Sequence, residues 1–182
     1  WENGFERTML DLVYPFLDKL NILWLTNSVS PAHEKFIANL IRRKLMAAID
    51  KEPVGHFEDT LTFVLYTPEG ETQELTLLFM QYLLRTRRQK VVYLGANTSL
   101  SDLRDVSHTL KPAYIFTILQ EPLPRQSIQS YVDNASKSIN GSELLLTGAQ
   151  LFINQVKLPE NAKVLNGLPD TQYLINGLPT CV

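Results

Sequence analysis

The sequence predicts an α/β protein in which a helical bundle precedes a doubly wound parallel sheet of five strands. Two patterns carry that expectation. From Phe5 to Asp50 the apolar residues recur at helical spacing, and from Leu61 onward short apolar runs alternate with helical stretches. The composition agrees. With 182 residues, 45% apolar and 20% charged, the chain is long enough to bury a core without disulfides.

In the first region Phe5, Met9, Leu12, Val13, Phe16, Leu17 and Leu20 form one apolar stripe, and Phe36, Leu40, Ile41, Leu45 and Met46 form another. At least two amphipathic helices follow from this spacing. The break between them is expected at 26–31, where Ser30, Pro31 and Glu34 supply an N-cap, a first helical residue and a first-turn acid for the second helix. Two such helices make a poor core by themselves. Residues 1–55 are therefore expected to be a bundle cap whose earlier helix or helices lie outside this sequence.

The second region, 56–182, reads as strands at 61–66, 91–94, 114–118, 144–146 and 163–165. Helical patterns lie between and after them, at 73–87, 100–110, 125–139, 150–154 and 170–177. Continuous β-branched runs separated by helices imply a parallel sheet covered on both faces, in the Rossmann-like or flavodoxin-like manner. Ligands of such sheets sit outside the carboxyl ends of the strands. The loops beginning at Thr67, Gly95, Thr117 and Thr147 are thus the expected site.

Charge and composition exclude several functions. A formal net charge of −2 leaves no excess of Lys and Arg with which this region could grip a phosphate backbone, so any DNA contact belongs to another segment. No run of about 18 apolar residues is present, so no membrane partner is expected. The single cysteine, Cys181, and the lack of a basic-then-apolar leader point to the cytoplasm. On that ground the glycosylation-type triplets at Asn97, Asn134 and Asn140 are read as chance. His33, His56 and His108 fall in three separate segments without metal-ligand spacing.

The loop Pro68-Glu69-Gly70-Glu71-Thr72-Gln73-Glu74-Leu75 precedes a helix and is followed by Tyr93-Leu94-Gly95-Ala96 and a polar helix start. This order resembles the first two units of a cobalamin-binding domain, whose first loop carries E-x-H-x-x-G, with S-x-L at a later strand end and then a Gly-Gly pair. Trp24, nine intervening residues and Glu34 resemble the W-x9-E-H signature of the helical cap in light-sensing MerR-type transcriptional regulators. Together the two likenesses span nearly the whole chain. The resemblance implies a cobalamin cofactor, with Trp24, Glu34, Glu71, Gln73, Thr117, Leu119 and Gly148 at the cofactor-binding positions. It also implies a small-molecule or corrinoid ligand, a homo-oligomer, and DNA bound through a helix-turn-helix domain preceding this region.

The departures fall in the motif itself. Gln73 stands where the family places the cobalt-binding His, Thr76 replaces the Gly of H-x-x-G, and Lys35 replaces the His of the cap's E-H pair. Thr117-Ile118-Leu119 keeps the hydroxyl of S-x-L, whereas Gly148-Ala149 keeps only the first glycine. A neutral amide is a far poorer ligand for cobalt than an imidazole nitrogen. The expected function is a regulatory, effector-binding and oligomerisation domain of a MerR-type regulator in which ligation of cobalt by a loop histidine is lost.

Two other functions remain open at this point. One is a corrinoid shuttle subunit of a methyltransferase. The other is a structural oligomerisation domain whose pocket is filled by side chains such as Phe116 or Gln73.

Each feature also has an ordinary structural reading. Trp24 can be a bundle-core aromatic, and Glu34 suits a first helical turn whatever its function. The basic run at 85–90 suits the solvated end of a helix. Glu69 and Glu71 supply two carboxylates but no identifiable nucleophile beside them, so enzymatic activity is not expected.

Overall fold

The structure, a computed structural model, describes residues 4–25, 30–53 and 60–178, without the side chains of residues 21, 24 and 25. The chain divides into two compact units, Trp1–Glu52 and Pro53–Val182.

The described residues of the first unit are helical from Gly4 to Leu25 and from Pro31 to Ile49. Helix α1 (Gly4–Thr8) runs through a π-helical turn at Met9–Val13 into α2 (Tyr14–Leu25), and α3 (Pro31–Ile49) follows. Ser30 precedes α3 in an extended conformation with Pro31 in the first turn, as expected, but its hydroxyl bonds His33 Nδ1 at 3.0 Å and caps no backbone N–H. The expected break over 26–29 lies outside the described residues.

The second unit contains β1 (Thr62–Pro68), α4 (Glu74–Thr86), β2 (Lys90–Thr98), α5 (Leu100–Leu110), β3 (Tyr114–Ile118), α6 (Ile128–Ser138), β4 (Glu143–Thr147), α7 (Ala149–Ile153), β5 (Ala162–Val164) and α8 (Leu168–Asn176). All strand pairs are parallel, in the order β2-β1-β3-β4-β5. This is the doubly wound, flavodoxin-like order. The chain leaves β1 toward β2 and returns to β3 on the other side, so the crevice at the carboxyl ends of β1 and β3 is the topological switch point.

Right-handed crossovers place α4 and α5 on opposite faces. On one face Val64, Tyr66, Ile115, Leu144 and Leu146 pack with Leu103 of α5, with Ile128, Tyr131, Val132 and Ala135 of α6, and with Leu151 of α7. The intervening strand residues Phe63, Leu65, Phe116 and Leu145 are buried too, as period-2 alternation requires of a sheet covered on both sides. Helix α4 lies against the strands and buries Leu77, Leu78, Phe79, Met80, Leu83 and Leu84. Each such side chain contributes about 1.5–3 kcal/mol of burial, so this unit has the material of an independent core.

One strand departs from expectation. Strand β2 does not end at Gly95 but continues to Thr98, with register shifts opposite Tyr66. Gly95 (φ +78°) and Asn97 (φ +59°) take the left-handed conformation there, making an irregular extension that carries the strand end forward to Ser99.

Candidate functional site

Among the residues expected at the site, the structure gathers Glu71, Gln73, Thr117, Leu119 and Gly148 around the carboxyl end of β3. Glu34 belongs to the other unit, half-buried in the first turn of α3. Trp24 lies on α2, and its side chain, like His56 and Cys181, is outside the described residues.

Glu71 is 3% exposed although it lies in a polar loop. Its Oε2 accepts the backbone N–H of Gln120 at 2.6 Å and of Glu121 at 2.9 Å, and its Oε1 accepts the N–H of Gln73 at 2.8 Å. A buried carboxylate is costly unless such donors surround it, and here three peptide groups do. The neighbouring residues tie the same two loops together. The position a Gly70 Cβ would take lies 2.5 Å from Pro124 Cδ, so only glycine lets that ring close against the loop. Glu69 pairs with Arg125 at 3.3 Å on the exposed rim. Glu69-Gly70-Glu71 is therefore a clamp on residues 120–125.

Gly148 has a backbone reason of its own. It precedes α7 at φ +118°, and a Cβ there would lie 2.3 Å from the Leu119 carbonyl oxygen. Leu119 N–H donates to Thr147 O at 2.7 Å, Gln150 N–H to Leu119 O at 3.1 Å, and Ala149 N–H to Gln120 Oε1 at 3.1 Å. The space beside the Gly148 Cα is occupied by the chain itself. Leu119 is fully buried, and its peptide is held between Glu71 on one side and Gly148 on the other.

Thr117 is also fully buried, and its hydroxyl has no hydrogen bond of good geometry among the described residues. It faces the hydroxyl of Tyr66, its register partner on β1, which accepts from Tyr131 Oη at 2.7 Å. Burial pushes the Tyr66 hydroxyl up to about 12, against the opposing pull of the Tyr131 and Thr117 hydroxyls. Tyr131 is pushed well above its ordinary value by burial, then by the Tyr66 charge and hydrogen bond.

Gln73 precedes α4 as an exposed residue whose side chain makes no cap bond. Phe116 is buried within the sheet. Among the described residues no cluster of three or more His, Cys, Asp or Glu could hold a metal. His33 and His108 are both exposed and far apart in sequence.

These residues do not fit cobalamin held from below by a loop histidine. The amide of Gln73 is the wrong donor, Glu71 is spent on backbone N–H groups, and the space beside Gly148 is filled by the Leu119 peptide.

Sequence reasoning did not find the tyrosine pair, whereas the open cavity beside it lies at the loops after β1, β2 and β3, among those expected to hold a ligand. The cavity, about 300 Å³, is lined by Pro68 and Glu69, residues 98–101, residues 123–126 and Tyr131. It occupies the switch-point crevice. Ser99 caps α5 on this wall through a reciprocal pair, with Asp102 N–H donating to Ser99 Oγ at 3.1 Å and Ser99 N–H to Asp102 Oδ2 at 3.1 Å. The S-x-x-D spacing Ser99-Leu100-Ser101-Asp102 was a sequence signal for that wall.

No protein-family model and no curated protein matches the chain. Among solved structures, the monomethylamine corrinoid protein of Methanosarcina barkeri is similar at 11% identity and a TM-score of 0.48, over 77% of this chain and 65% of that one. This chain thus spans about two thirds of that protein. The methanol:cobalamin methyltransferase complex of Methanosarcina barkeri is similar at 13% identity and a TM-score of 0.49, over 96% of this chain and 69% of that one. A pilus assembly protein of Caulobacter crescentus is similar at 12% identity and a TM-score of 0.38, over 66% of this chain and 92% of that one. Among the described residues no helix is long and apolar enough to cross a membrane.

Proposed function

We propose that the chain is the effector-binding and oligomerisation part of a MerR-type transcriptional regulator, built on a cobalamin-binding-type architecture but acting without cobalt ligation from the loop after β1. The observation that carries this reading is the Glu71 clamp. In the resembled motif that loop serves the metal, whereas here its carboxylate is consumed by the peptides of Gln120, Glu121 and Gln73. The W-x9-E pattern of Trp24 and Glu34 supports the regulator context, and the net charge of −2 supports assigning DNA contact to a separate helix-turn-helix segment. In this reading the module has no catalytic role. It changes DNA affinity by changing contacts between copies, because paired half-sites are read by symmetric dimers.

Gel filtration with visible absorbance, after mixing with adenosylcobalamin or methylcobalamin, tests it. Protein and colour are expected to elute separately. Co-elution of a corrinoid whose own base has been displaced contradicts the reading. A full reading frame with a helix-turn-helix segment supports the regulator assignment, whereas methyl transfer with a partner enzyme favours a corrinoid shuttle.

A further inference from the structure

We propose that the cavity beside Tyr131 is a ligand pocket for a small neutral molecule with a flat apolar body and an N–H donor edge. The cavity volume, about 300 Å³, is at the lower end for small-molecule sites, and it lies at the switch-point crevice where doubly wound sheets bind ligands. Its walls are held before any ligand arrives. Clamp residues fix the side formed by Glu69 and residues 123–126, and the reciprocal Ser99–Asp102 cap fixes the other.

The lining specifies the ligand. Pro68, Leu100, Leu123, Pro124 and the Tyr131 ring give flat apolar surface. The two charges on the lining, Glu69 and Arg125, face each other at 3.3 Å and offset one another, and the Asp102 carboxylate offsets the positive N-terminal end of α5 on the other wall, so neither an anion nor a cation is preferred.

The hydroxyl roles follow by elimination. Ser99 Oγ donates its proton to Asp102 Oδ2 at 2.7 Å and accepts Asp102 N–H at 3.1 Å. The 2.7 Å contact between Ser99 Oγ and Ser101 Oγ must then have Ser101 as donor. Ser101 is a lining residue, and its Oγ, with the proton spent, is left to accept from a ligand N–H.

Benzamide, N,N-dimethylbenzamide and benzoate are suitable probes, measured by ligand-detected NMR titration of the full chain. Benzamide is expected to bind saturably at millimolar concentration. It should bind about fivefold more tightly than the other two, the worth of one hydrogen bond or of avoiding an unpaired charge. Ser101→Ala is expected to erase the advantage over N,N-dimethylbenzamide, and Ser101→Trp to abolish binding with the far-ultraviolet circular dichroism unchanged. No saturable binding of benzamide, equal binding of all three probes, or binding that survives Ser101→Trp would overturn the proposal. Cobalamin is absent from the test, so its failure leaves the regulator reading untouched.

Discussion

The Glu71 carboxylate accepts the backbone N–H groups of Gln120 and Glu121 at 2.6 and 2.9 Å, joining loops that are 49 and 50 residues apart in the chain. Hydrogen bonds to a charged acceptor are worth about 1.5–3 kcal/mol each, and losing the acceptor strands buried N–H groups. Glu71→Ala is therefore expected to destabilise the second unit by about 3 kcal/mol. Glu71→Gln should cost less, because one oxygen can still serve residues 120 and 121 while its NH₂ opposes the Gln73 N–H. Urea unfolding followed by tyrosine fluorescence checks the order Ala worse than Gln.

Gly148 and Gly141 both have positive φ, at +118° and +75°, but only Gly148 is pressed against backbone. Gly141→Ala should cost about 1 kcal/mol, the conformational penalty alone. Gly148→Ala must also displace the Leu119 peptide and is expected to cost at least twice that. Comparing melting temperatures of the two variants checks the difference.

The buried tyrosine pair gives an alkaline signature. The folded-state value of Tyr66, about 12, lies above its ordinary 10.0, so the neutral form contributes stability in full below pH 10. That contribution is lost as pH rises from 10 toward 12. Absorbance at phenolate wavelengths should show Tyr66 and Tyr131 ionising only with unfolding. Tyr66→Phe leaves the Tyr131 hydroxyl without its acceptor and should cost about 1–3 kcal/mol, whereas the double Phe variant should cost less than the sum of the single ones.

Acid acts on the α5 cap. Hydrogen bonds from the Ser99 side chain and then its backbone hold Asp102 below its ordinary value of 3.8. Its contribution is present above 3.8 and is lost as pH falls through the lower folded-state value. A carboxyl-carbon NMR titration should place the Asp102 midpoint below 3.8 in the native protein and move it part of the way back toward 3.8 in Ser99→Ala, which removes the side-chain bond but keeps the backbone N–H.

Much of the sheet unit was legible because its patterns are local. Strand β3 and helix α5 fall at 114–118 and 100–110 as the apolar runs predict, and the remaining strands were found within a few residues. What failed depended on backbone geometry or distant partners. The left-handed Gly95 and Asn97 extend β2 past an apparent loop start. Ser127 caps α6 by accepting the Ser130 N–H, so the helix begins at Ile128 and frees residues 123–126 for the cavity wall. The π-helical turn at Met9–Val13 leaves no mark in a 3.6-residue period. Glu71 looked like a ligand-facing acid because the peptide N–H groups that claim it carry no sequence signature.

Amide hydrogen exchange at Gln120 and Glu121 tests the clamp most directly. Both amides should exchange slowly in the native protein, and in Glu71→Ala they should speed up by at least tenfold while Leu145, in the sheet core, stays protected. Rapid exchange in the native protein, or no change in the variant, would contradict the account.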